Sequence, residues 1–363
     1  VGDQALGRHQ ARVHAQLDAP GGFAGGVGSF HPLGDAQELD AVAQLLGVFD
    51  VGGAELGDAF HIGLVELHRD AKGDGTPRFN PFFIPKMIAD ITPGHISIEY
   101  GFHGPNYTTV SACASSANAI IDSKMLIQLG KADVIVCGGS EAAVTASGVG
   151  GFNAMMALST RNDDPKTASR PFDKDRDGFV LGEGAGCIVL EEYEHAVKRG
   201  ATIYAELLGG GLSADAHHMT APHPEGLGAY LVMKNCLEDA GLTADEVDHI
   251  NMHGTSTPLG DIAESNAISK LLGEHAYDIQ INSTKSMTGH LLGAAGVIEA
   301  IAALGTIIHG TVPPTINHFT DDENIDSRLN FTFNTAVKKD VKVAMSNTFG
   351  FGGHNACVLF KKI

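Results

Sequence analysis

The chain has 363 residues and a mass of 37.9 kDa, which is enough for one large domain or two ordinary domains with a substantial core. Its 43 acidic and 24 basic residues give a formal net charge of -19, which argues against nucleic acid as a general partner. The five cysteines are scattered and form no CxxC pair, a pattern typical of a reducing compartment and not of a structural zinc site. With no signal-peptide pattern and no uninterrupted apolar run of membrane-spanning length, the sequence predicts a cytoplasmic protein without membrane insertion.

Composition changes abruptly near residue 72. Residues 1–71 contain no Lys, Asn, Thr, Met or Tyr, whereas ordinary globular usage begins at once after residue 74. The glycine-rich run at 21–28 lacks the GxGxxG spacing of a nucleotide-binding loop. We therefore interpret 1–72 as a segment of separate origin, either a misread frame or a poorly ordered stretch, and sequencing the transcript across this boundary tests that interpretation.

From residue 74 onward, strand and helix patterns alternate. Strands are predicted at residues 134–137, 186–190, 203–208, 247–252, 279–283, 343–346 and 356–360. Helices are predicted at residues 191–199, 226–240, 261–272 and 291–308. This alternation favours an α/β fold whose sheets are covered by helices.

The region 108–129 predicts a strand, a tight turn and a buried helix, with Cys113 at the N-terminus of the helix. At that position the helix dipole is expected to lower the pKa of the thiol. A small structural cysteine is the alternative interpretation. A similar pattern recurs at 281–304, where the strand and turn INSTKSMTGH precede the helix LLGAAGVIEAIAAL. This faint duplication would place both turns near one central site.

Three further segments carry candidate catalytic residues. His253 follows an apolar strand in 251–264, Lys285 and His290 lie in 283–296, and 346–356 is a glycine-rich loop after a strand. A single histidine in such a place is more often structural than catalytic. One thiol with two imidazoles is nevertheless a plausible nucleophilic site. A cysteine hydrolase would need only one histidine and an orienting Asn or Asp, so the second histidine fits that class poorly.

Four motifs, in this order, give the sequence a specific resemblance: SACASS, HGTSTPLGD, KSMTGHLLGAAG and SNTFGFGGHN. They resemble the β-ketoacyl-[acyl-carrier-protein] synthases, in particular the elongating KAS II type of fatty-acid synthesis, and the resemblance extends over 74–363. It implies a thiolase-like α/β fold, in which two similar halves form a five-layered α-β-α-β-α core, and a homodimer. Residues 73–200 would be an incomplete N-terminal half carrying Cys113, and 201–363 the C-terminal half carrying both histidines.

The resemblance also implies roles for residues at the reaction centre. Cys113 would hold the acyl chain as a thioester, and His253 and His290 would donate hydrogen bonds to the malonyl thioester oxygen during decarboxylation. The backbone N–H groups of Cys113 and Phe349 would form a second oxyanion hole, and Phe349 would act as a gate with hinge freedom from neighbouring glycines. Lys285 would tune the histidine pair.

Other residues match positions around that centre. Asp261 and Glu264 are the expected charge partners of Lys285. Thr255 and Thr257 match positions that bind the phosphopantetheine arm, although both could be plain turn residues.

Partners follow from the same resemblance. The expected partners are acyl- and malonyl-loaded acyl carrier proteins, which are acidic, so Arg78, Lys86 and Lys124 are candidate docking residues. Phe83, with Phe82 beside it, resembles the segment that lines the neighbouring subunit's acyl pocket.

The resemblance implies no cofactor for the enzyme itself, because the phosphopantetheine arm arrives on the carrier protein. Four residues match a structural cation site of some relatives: Asn251, Glu299, Ser346 and Asn347. The histidines at 217, 218 and 223 have no acidic partner at ligand spacing, which favours a loop near the site's mouth over a metal site.

The sequence departs from the family at its start. Neither the family's VVVTGxG-like first strand nor its GSGIGG-like segment is recognisable before residue 74, which would leave unpaired strand edges in the first half. Besides the elongating synthase, two alternatives therefore remain: a polyketide-type ketosynthase and an inactive truncated or chimeric synthase.

Overall fold

The computed structural model describes residues 11–14, 81–82, 84–85 and 88–363, and these segments form alternating layers of helix and sheet. The helices are α1 (Ile91–Tyr100), α2 (Ser115–Gln128), α3 (Ala146–Ala154), α4 (Tyr193–Arg199), α5 (Leu227–Ala240), α6 (Pro258–Leu272), α7 (Lys285–Thr288) and α8 (Ala295–His309). The strands are β1 (Ala11–His14), β2 (Val134–Glu141), β3 (Gly184–Glu192), β4 (Glu206–Ala214), β5 (His249–Asn251), β6 (Gln280–Asn282), β7 (Thr311–Val312), β8 (Val337–Lys338), β9 (Val343–Gly350) and β10 (His354–Lys361). Short 3₁₀ turns lie at Pro165–Thr167, Ala244–Glu246, Gly273–Tyr277 and Leu292–Ala294.

Two sheets carry the two halves. In the N-terminal half the strand order is β1-β3-β2, with both pairings antiparallel. In the C-terminal half the order is β4-β10-β9-β5-β6, antiparallel from β4 to β9 and parallel from β9 to β6. The strand β1 comes from the compositionally distinct segment 1–72, and the rest of that segment lies outside the described residues.

Alternation along the strands shows that both faces of the C-terminal sheet are covered. On β9, Ala344 belongs to one apolar cluster, and its neighbours Val343 and Met345 belong to another. On β10, Val358 and Leu359 divide between the same two clusters. Buried strands of this kind read as continuous apolar runs because helices pack on both sides.

The layers stack in the order α1, the N-terminal sheet, α2 with α8, the C-terminal sheet, and α5 with α6. The central layer is shared, because Ile120 of α2 and Val297 of α8 join one core cluster with Ile188 of β3 and Phe360 of β10. The chain therefore has the predicted five-layered, thiolase-like α/β fold in its described part.

One described helical segment, Leu292–His309, has the length and hydropathy needed to cross a membrane, and 56% of it is buried. Its residues Ala300, Ala303 and Leu304 are fully buried in the shared core cluster. The segment is therefore the core helix of the central layer, and its small residues let α2 pack closely against it.

Two predictions made for residues 108–129 are wrong. Residues 108–110 form no strand, and Val110 is 82% exposed, because no neighbouring strand pairs with them in the part of the chain that the structure describes. Lys124 is not available for docking, since it is only 3% exposed and forms an ion pair with Asp239 of α5. That ion pair joins α2 of the central layer to α5, which lies on the far side of the C-terminal sheet, where Asp239 also accepts the Gly210 N–H of β4.

Candidate active site

The turn that carries Cys113 is built from small residues with an unusual backbone. Ala112 has a φ of 50°, a left-handed conformation that is uncommon outside glycine. Ser115, the first residue of α2, accepts a hydrogen bond from the Ser111 N–H at 2.9 Å and donates one to the Ala112 carbonyl at 2.7 Å. These bonds hold the turn within its own half, and Cys113 is buried just before the helix begins.

The thiol of Cys113 faces an imidazole from the other half. His290 Nε2 lies 3.1 Å from Cys113 Sγ, although 177 residues separate them in the chain. Burial raises the pKa of the Cys113 thiol to about 11, against the lowering effects of Lys285 and of the Phe351 backbone N–H. The expectation of a lowered thiol pKa is therefore wrong, because loss of hydration outweighs the favourable charges. The structure therefore holds a protonated thiol with a proton acceptor beside it.

The second imidazole completes a compact group. The rings of His253 and His290 are 5.2 Å apart and nearly perpendicular, and the ring of His253 lies 5.5 Å from that of Phe349. Burial lowers the pKa of both histidines well below the usual range, and Lys285 lowers it further. Both imidazoles are therefore neutral near pH 7. A neutral imidazole can donate one hydrogen bond to a developing oxyanion and accept one proton.

Glu264 fixes the loop that carries His253. Its carboxylate accepts hydrogen bonds from the backbone N–H groups of His253, at 2.9 Å, and Gly254, at 3.0 Å, and from the side chain of Asn347 at 3.1 Å. Burial raises the pKa of Glu264 to about 7 in spite of these bonds and the nearby Lys285. Glu264 thus acts on the histidine through the backbone.

The ion-pair partners of Lys285 differ from those expected. Lys285 is buried and pairs directly with Glu299 of α8, and burial raises the pKa of Glu299 to about 7 while Lys285 lowers it. Asp261 pairs instead with Arg176 at 3.3 Å and accepts the Phe172 N–H at 2.9 Å. Asp261 is therefore wrongly assigned as a partner of Lys285. Glu299, which the sequence analysis matched only to a possible cation site, is the acid that faces Lys285.

The backbone donor at the thiol also differs from the expected one. The N–H that hydrogen-bonds Cys113 is that of Phe351, two residues beyond Phe349, which lies within β9. Between them, a Cβ on Gly350 would come within 2.5 Å of the Ser111 carbonyl oxygen and 3.1 Å of the Cys113 nitrogen. Only glycine permits this close approach, which brings the loop after β9 against the nucleophile.

These groups open into one cavity of about 750 Å³. Its lining includes Cys113, both histidines, Thr255, Thr257, Phe349 and Phe351. The hydroxyls of Thr255 and Thr257 lie 3.0 Å apart. His218 and His223 also line the cavity, so the histidine-rich loop does lie beside it. Of the remaining assigned residues, Arg78 and Phe83, together with Lys86, lie outside the described part of the chain.

Sequence reasoning missed an aromatic group on one side of the cavity. The ring of Phe179 packs edge-on against His290 at 5.4 Å, and Phe152 contacts both Phe179, at 5.3 Å, and Phe351, at 6.5 Å. The only signal available was the presence of these aromatics in glycine-rich segments, which does not indicate that they converge. This side of the cavity is accordingly apolar, and Phe152, Phe179 and Phe351 all line it.

The residues matched to a cation site form a partial cluster. Asn251 and Ser346 are register partners on neighbouring strands, and the Asn251 amide donates to the Glu299 carbonyl at 3.4 Å. Ser346 Oγ and Glu299 Oε2 are buried without a hydrogen-bond partner among the described residues. The Asn347 side chain, bonded to Glu264, lies on the opposite face of β9. The donors are all oxygens, which suits a hard cation.

Comparison with known proteins gives two family-model matches. A model described as the N-terminal domain of β-ketoacyl synthase matches residues 43–196, and one described as the C-terminal domain matches residues 204–319. The first match begins upstream of the compositional boundary at residue 72. Together the two matches cover the turns that carry Cys113, His253 and His290.

Curated relatives show the same similarity. The chain is 52% identical over 289 residues to the mitochondrial 3-oxoacyl-[acyl-carrier-protein] synthase of Arabidopsis thaliana, covering 79% of this chain and 62% of that protein. It is 50% identical over 300 residues to 3-oxoacyl-[acyl-carrier-protein] synthase 2 of Coxiella burnetii, covering 82% of this chain and 72% of that protein. The chain thus spans less than two thirds of the Arabidopsis protein and somewhat more of the bacterial one.

Solved structures share the architecture. A type II polyketide ketosynthase, in complex with its acyl-carrier protein and bound to the hexaketide, superposes with a TM-score of 0.81 at 34% identity, over 84% of this chain and 75% of that one. A β-ketoacyl synthase from Burkholderia phymatum gives a TM-score of 0.77 at 37% identity, over 85% of this chain and 72% of that one.

Proposed function

Because the chain belongs to the β-ketoacyl synthase family, we propose that it catalyses the decarboxylative condensation of an acyl thioester with malonyl-[acyl-carrier-protein]. The products are carbon dioxide and a β-ketoacyl-[acyl-carrier-protein] two carbons longer, as in chain elongation of fatty-acid synthesis. The observation that carries the proposal is the contact of 3.1 Å between Cys113 Sγ and His290 Nε2, with a second neutral imidazole in the same cavity.

Acyl transfer uses the resting protonation states. The Cys113 sulfur attacks the acyl thioester carbonyl and its proton passes to His290 Nε2. His290 then gives this proton to the carrier-protein sulfur as that thioester bond breaks, which leaves the acyl chain on Cys113 and His290 neutral. The thiol pKa of about 11 means that the proton must move during the attack and not before it. The N–H groups of Cys113 and Phe351 are placed to stabilise the tetrahedral oxyanion.

Condensation then uses the imidazoles as donors. The malonyl carboxylate leaves as carbon dioxide, and the electron pair of the broken bond forms an enolate whose oxygen accepts hydrogen bonds from His253 and His290. The enolate carbon attacks the acyl carbonyl on Cys113, the carbon–sulfur bond breaks, and the expelled Cys113 thiolate takes up a proton from solvent to restore the resting thiol. Neutral donors suit this step, because charge appears only in the transition state and preorganised dipoles stabilise it there.

Mass spectrometry tests the proposal. Incubation with an acyl carrier protein loaded with a medium-length chain should add the acyl mass to the Cys113 peptide, and the Cys113→Ala variant should show none. Subsequent malonyl-carrier protein should remove that mass and yield the extended ketoacyl product. A folded protein that never acquires the acyl mass would contradict the assignment.

A polyketide-type ketosynthase is the second candidate, favoured by the TM-score of 0.81 to a polyketide enzyme. Sequence identity favours elongation, since it is 50% to a curated 3-oxoacyl synthase and 34% to the polyketide structure. Competition between saturated acyl and polyketide-type thioesters for Cys113 separates the two.

The proposed partners are an acyl carrier protein and a second copy of the chain. Residues 102–110 are largely exposed, including Tyr107 and Val110, which supports a covering partner, and light scattering tests a homodimer.

We also propose that the protein is cytoplasmic and does not insert into a membrane. Cell fractionation is the test, and it is needed because the Arabidopsis relative is named as mitochondrial.

A structural cation completes the proposal. Asn251, Glu299 and Ser346 would hold a hard cation, which would satisfy the buried oxygens Glu299 Oε2 and Ser346 Oγ and perform no step of the reaction. Metal analysis of the purified protein, and thermal melts with and without potassium or magnesium, test it.

A further inference from the structure

The helix that follows His290 lacks a cap from its own segment. Helix α8 begins after Ala294, whose side chain makes no capping hydrogen bond, and its first turn contains no acidic residue. The first N–H groups of a helix need partners, and a serine or a carboxylate near them is the usual solution. In this protein both partners come from the other half of the molecule.

Ser116 of α2 supplies one of these partners. Its Oγ accepts the Val297 N–H at 3.0 Å, which is the third helical N–H of α8 and the group that an N-cap side chain normally binds. Ser116 is buried and lies three residues after Cys113. A Cβ on Gly296 would come within 2.7 Å of the Ala117 nitrogen, so α2 and α8 are in direct contact here.

Glu141, at the end of β2, supplies the other partner. Its Oε2 accepts the Gly293 N–H at 3.2 Å, in the 3₁₀ turn between His290 and α8. The preceding residue, Leu292, has a φ of 43°, a strained conformation that persists only where its surroundings hold it. The carboxylate also complements the positive end of the α8 dipole.

We infer that Ser116 and Glu141 are positioning residues that cap α8 and the 3₁₀ turn leading into it from the N-terminal half, and thereby hold His290 against Cys113. Cys113, Ser116 and Glu141 belong to one half, and His290 and the capped helix to the other. The two caps therefore act across the same boundary as the catalytic contact. Since a displacement of about 1 Å at a reacting pair can cost about a hundredfold in rate, these bonds set the geometry on which proton transfer depends.

Four variants separate positioning from charge. Ser116→Ala removes one acceptor without changing charge, and Glu141→Ala removes both the acceptor and the charge. Glu141→Gln removes the charge but keeps a carbonyl oxygen in place. Glu183→Ala is the matched control, because Glu183 accepts the nearby Val144 N–H at 2.7 Å and its charge acts on Glu141, while no hydrogen bond of the described residues joins it to α8. Circular dichroism and thermal melts establish that each variant folds.

The first readout is geometric and does not depend on the proposed function. 1,3-Dibromoacetone, a short reagent with two displaceable bromides, should bridge the Cys113 thiol to the His290 imidazole in the parent, in Glu141→Gln and in Glu183→Ala. The bridged yield, measured by peptide mass spectrometry, should fall about tenfold or more in Ser116→Ala and Glu141→Ala. Unchanged bridging in both of these variants would overturn the inference.

The second readout rests on the proposed function. The condensation kcat should fall about tenfold or more in Ser116→Ala and Glu141→Ala, with KM for the malonyl carrier protein nearly unchanged, and should stay within about threefold in Glu141→Gln. Equal losses in the Gln and Ala variants would assign the effect to charge and overturn positioning. A parent with no condensation activity would instead refute the proposed function, while the bridging experiment would still judge the caps.

The pH profile of Cys113 alkylation supplies a third check. The charged groups that act on this thiol are Lys285, Glu141 and Glu299, with His290 in contact. Removing the Glu141 charge should shift the profile to lower pH in both Glu141 variants, and Ser116→Ala should leave its midpoint in place. A shift in Ser116→Ala equal to that of the Glu141 variants would contradict the division of roles.

Discussion

Each half contributes a turn followed by a buried helix, but the two turns are stabilised differently. The C-terminal sheet is covered on both faces, and Val343 of β9 is 3% exposed. The N-terminal sheet has three described strands, and Val134 of β2 is 43% exposed. The turn of Cys113 therefore depends on the opposite half for much of its support. The shared central layer, and not the N-terminal sheet alone, is what holds the nucleophile in place.

Burial acts oppositely on the groups at the two turns, which gives the prediction with the largest effect. It raises the thiol pKa to about 11 and lowers the imidazole pKa values of His253 and His290. Below its pKa, the thiolate fraction rises tenfold with each pH unit, so Cys113 alkylation by iodoacetamide should rise about a thousandfold from pH 7 to 10.

No plateau should appear near neutral pH, because the imidazoles are already neutral there. The Cys113→Ala variant provides the background rate. A plateau beginning near pH 7 would show a thiolate-imidazolium pair, and the two turns would then share a proton in the resting enzyme.

The ion pair within the C-terminal half provides the next test. Lys285→Ala leaves the buried Glu299 uncompensated, and such a loss costs about 3–5 kcal/mol. In this variant the Glu299 pKa should rise further above that of the unfolded chain. Its ionisation then opposes folding, and the loss of stability should grow as pH increases from about 5.5 to 8. Urea denaturation at both pH values measures this change.

The double variant Lys285→Ala with Glu299→Gln serves as the control. It should recover part of the lost stability and show much less pH dependence, because Glu299 no longer carries an ionisable carboxyl group. For comparison, Lys124→Ala should cost less than Lys285→Ala, since its partner Asp239 is partly exposed. Equal costs would mean that the pair between the halves is as well buried as the pair within one half.

The shared core predicts that the halves unfold together. Ile120 of α2 is fully buried in the cluster that spans both sheets, and Met233 of α5 is fully buried in the cluster of the C-terminal half. Replacing either residue by alanine should cost about 2–5 kcal/mol.

Each of these two variants should show a single unfolding transition by calorimetry and by Cys113 alkylation. A second transition in Ile120→Ala alone would mean that the N-terminal half unfolds separately, and the dependence of Cys113 on the opposite half would then be refuted.

The sequence predicted most of the helices and strands that are encoded within a single segment. The helices α4, α5 and α6 and the strands β9 and β10 lie close to the predicted ranges, because buried strands and amphipathic helices carry their signal locally. Four short motifs also located the thiol and both imidazoles. Their convergence was implied by the family resemblance and, for the turns of Cys113 and His290, by the faint internal duplication.

What the sequence could not supply depends on distant neighbours. The choice of Glu299 over Asp261 as the partner of Lys285 and the burial of Lys124 follow from which side chains the fold brings together, and the raised thiol pKa follows from burial. The backbone donor at the thiol is Phe351 and not Phe349 for a local reason. The strand β9 extends through Gly350, so the loop begins later than expected.

The prediction with the smallest effect compares one valine on each sheet, Val343 on β9 and Val134 on β2. Threonine has nearly the shape of valine, so Val→Thr mainly introduces a hydroxyl, and burying a hydroxyl without a partner costs about 1–3 kcal/mol. Val343→Thr on β9 should show that cost in urea denaturation. Val134→Thr on β2 should stay within about 0.5 kcal/mol, as for other exposed positions. If Val134→Thr costs as much as Val343→Thr, a partner covers this strand in solution, and the N-terminal sheet is as well buried as the C-terminal one.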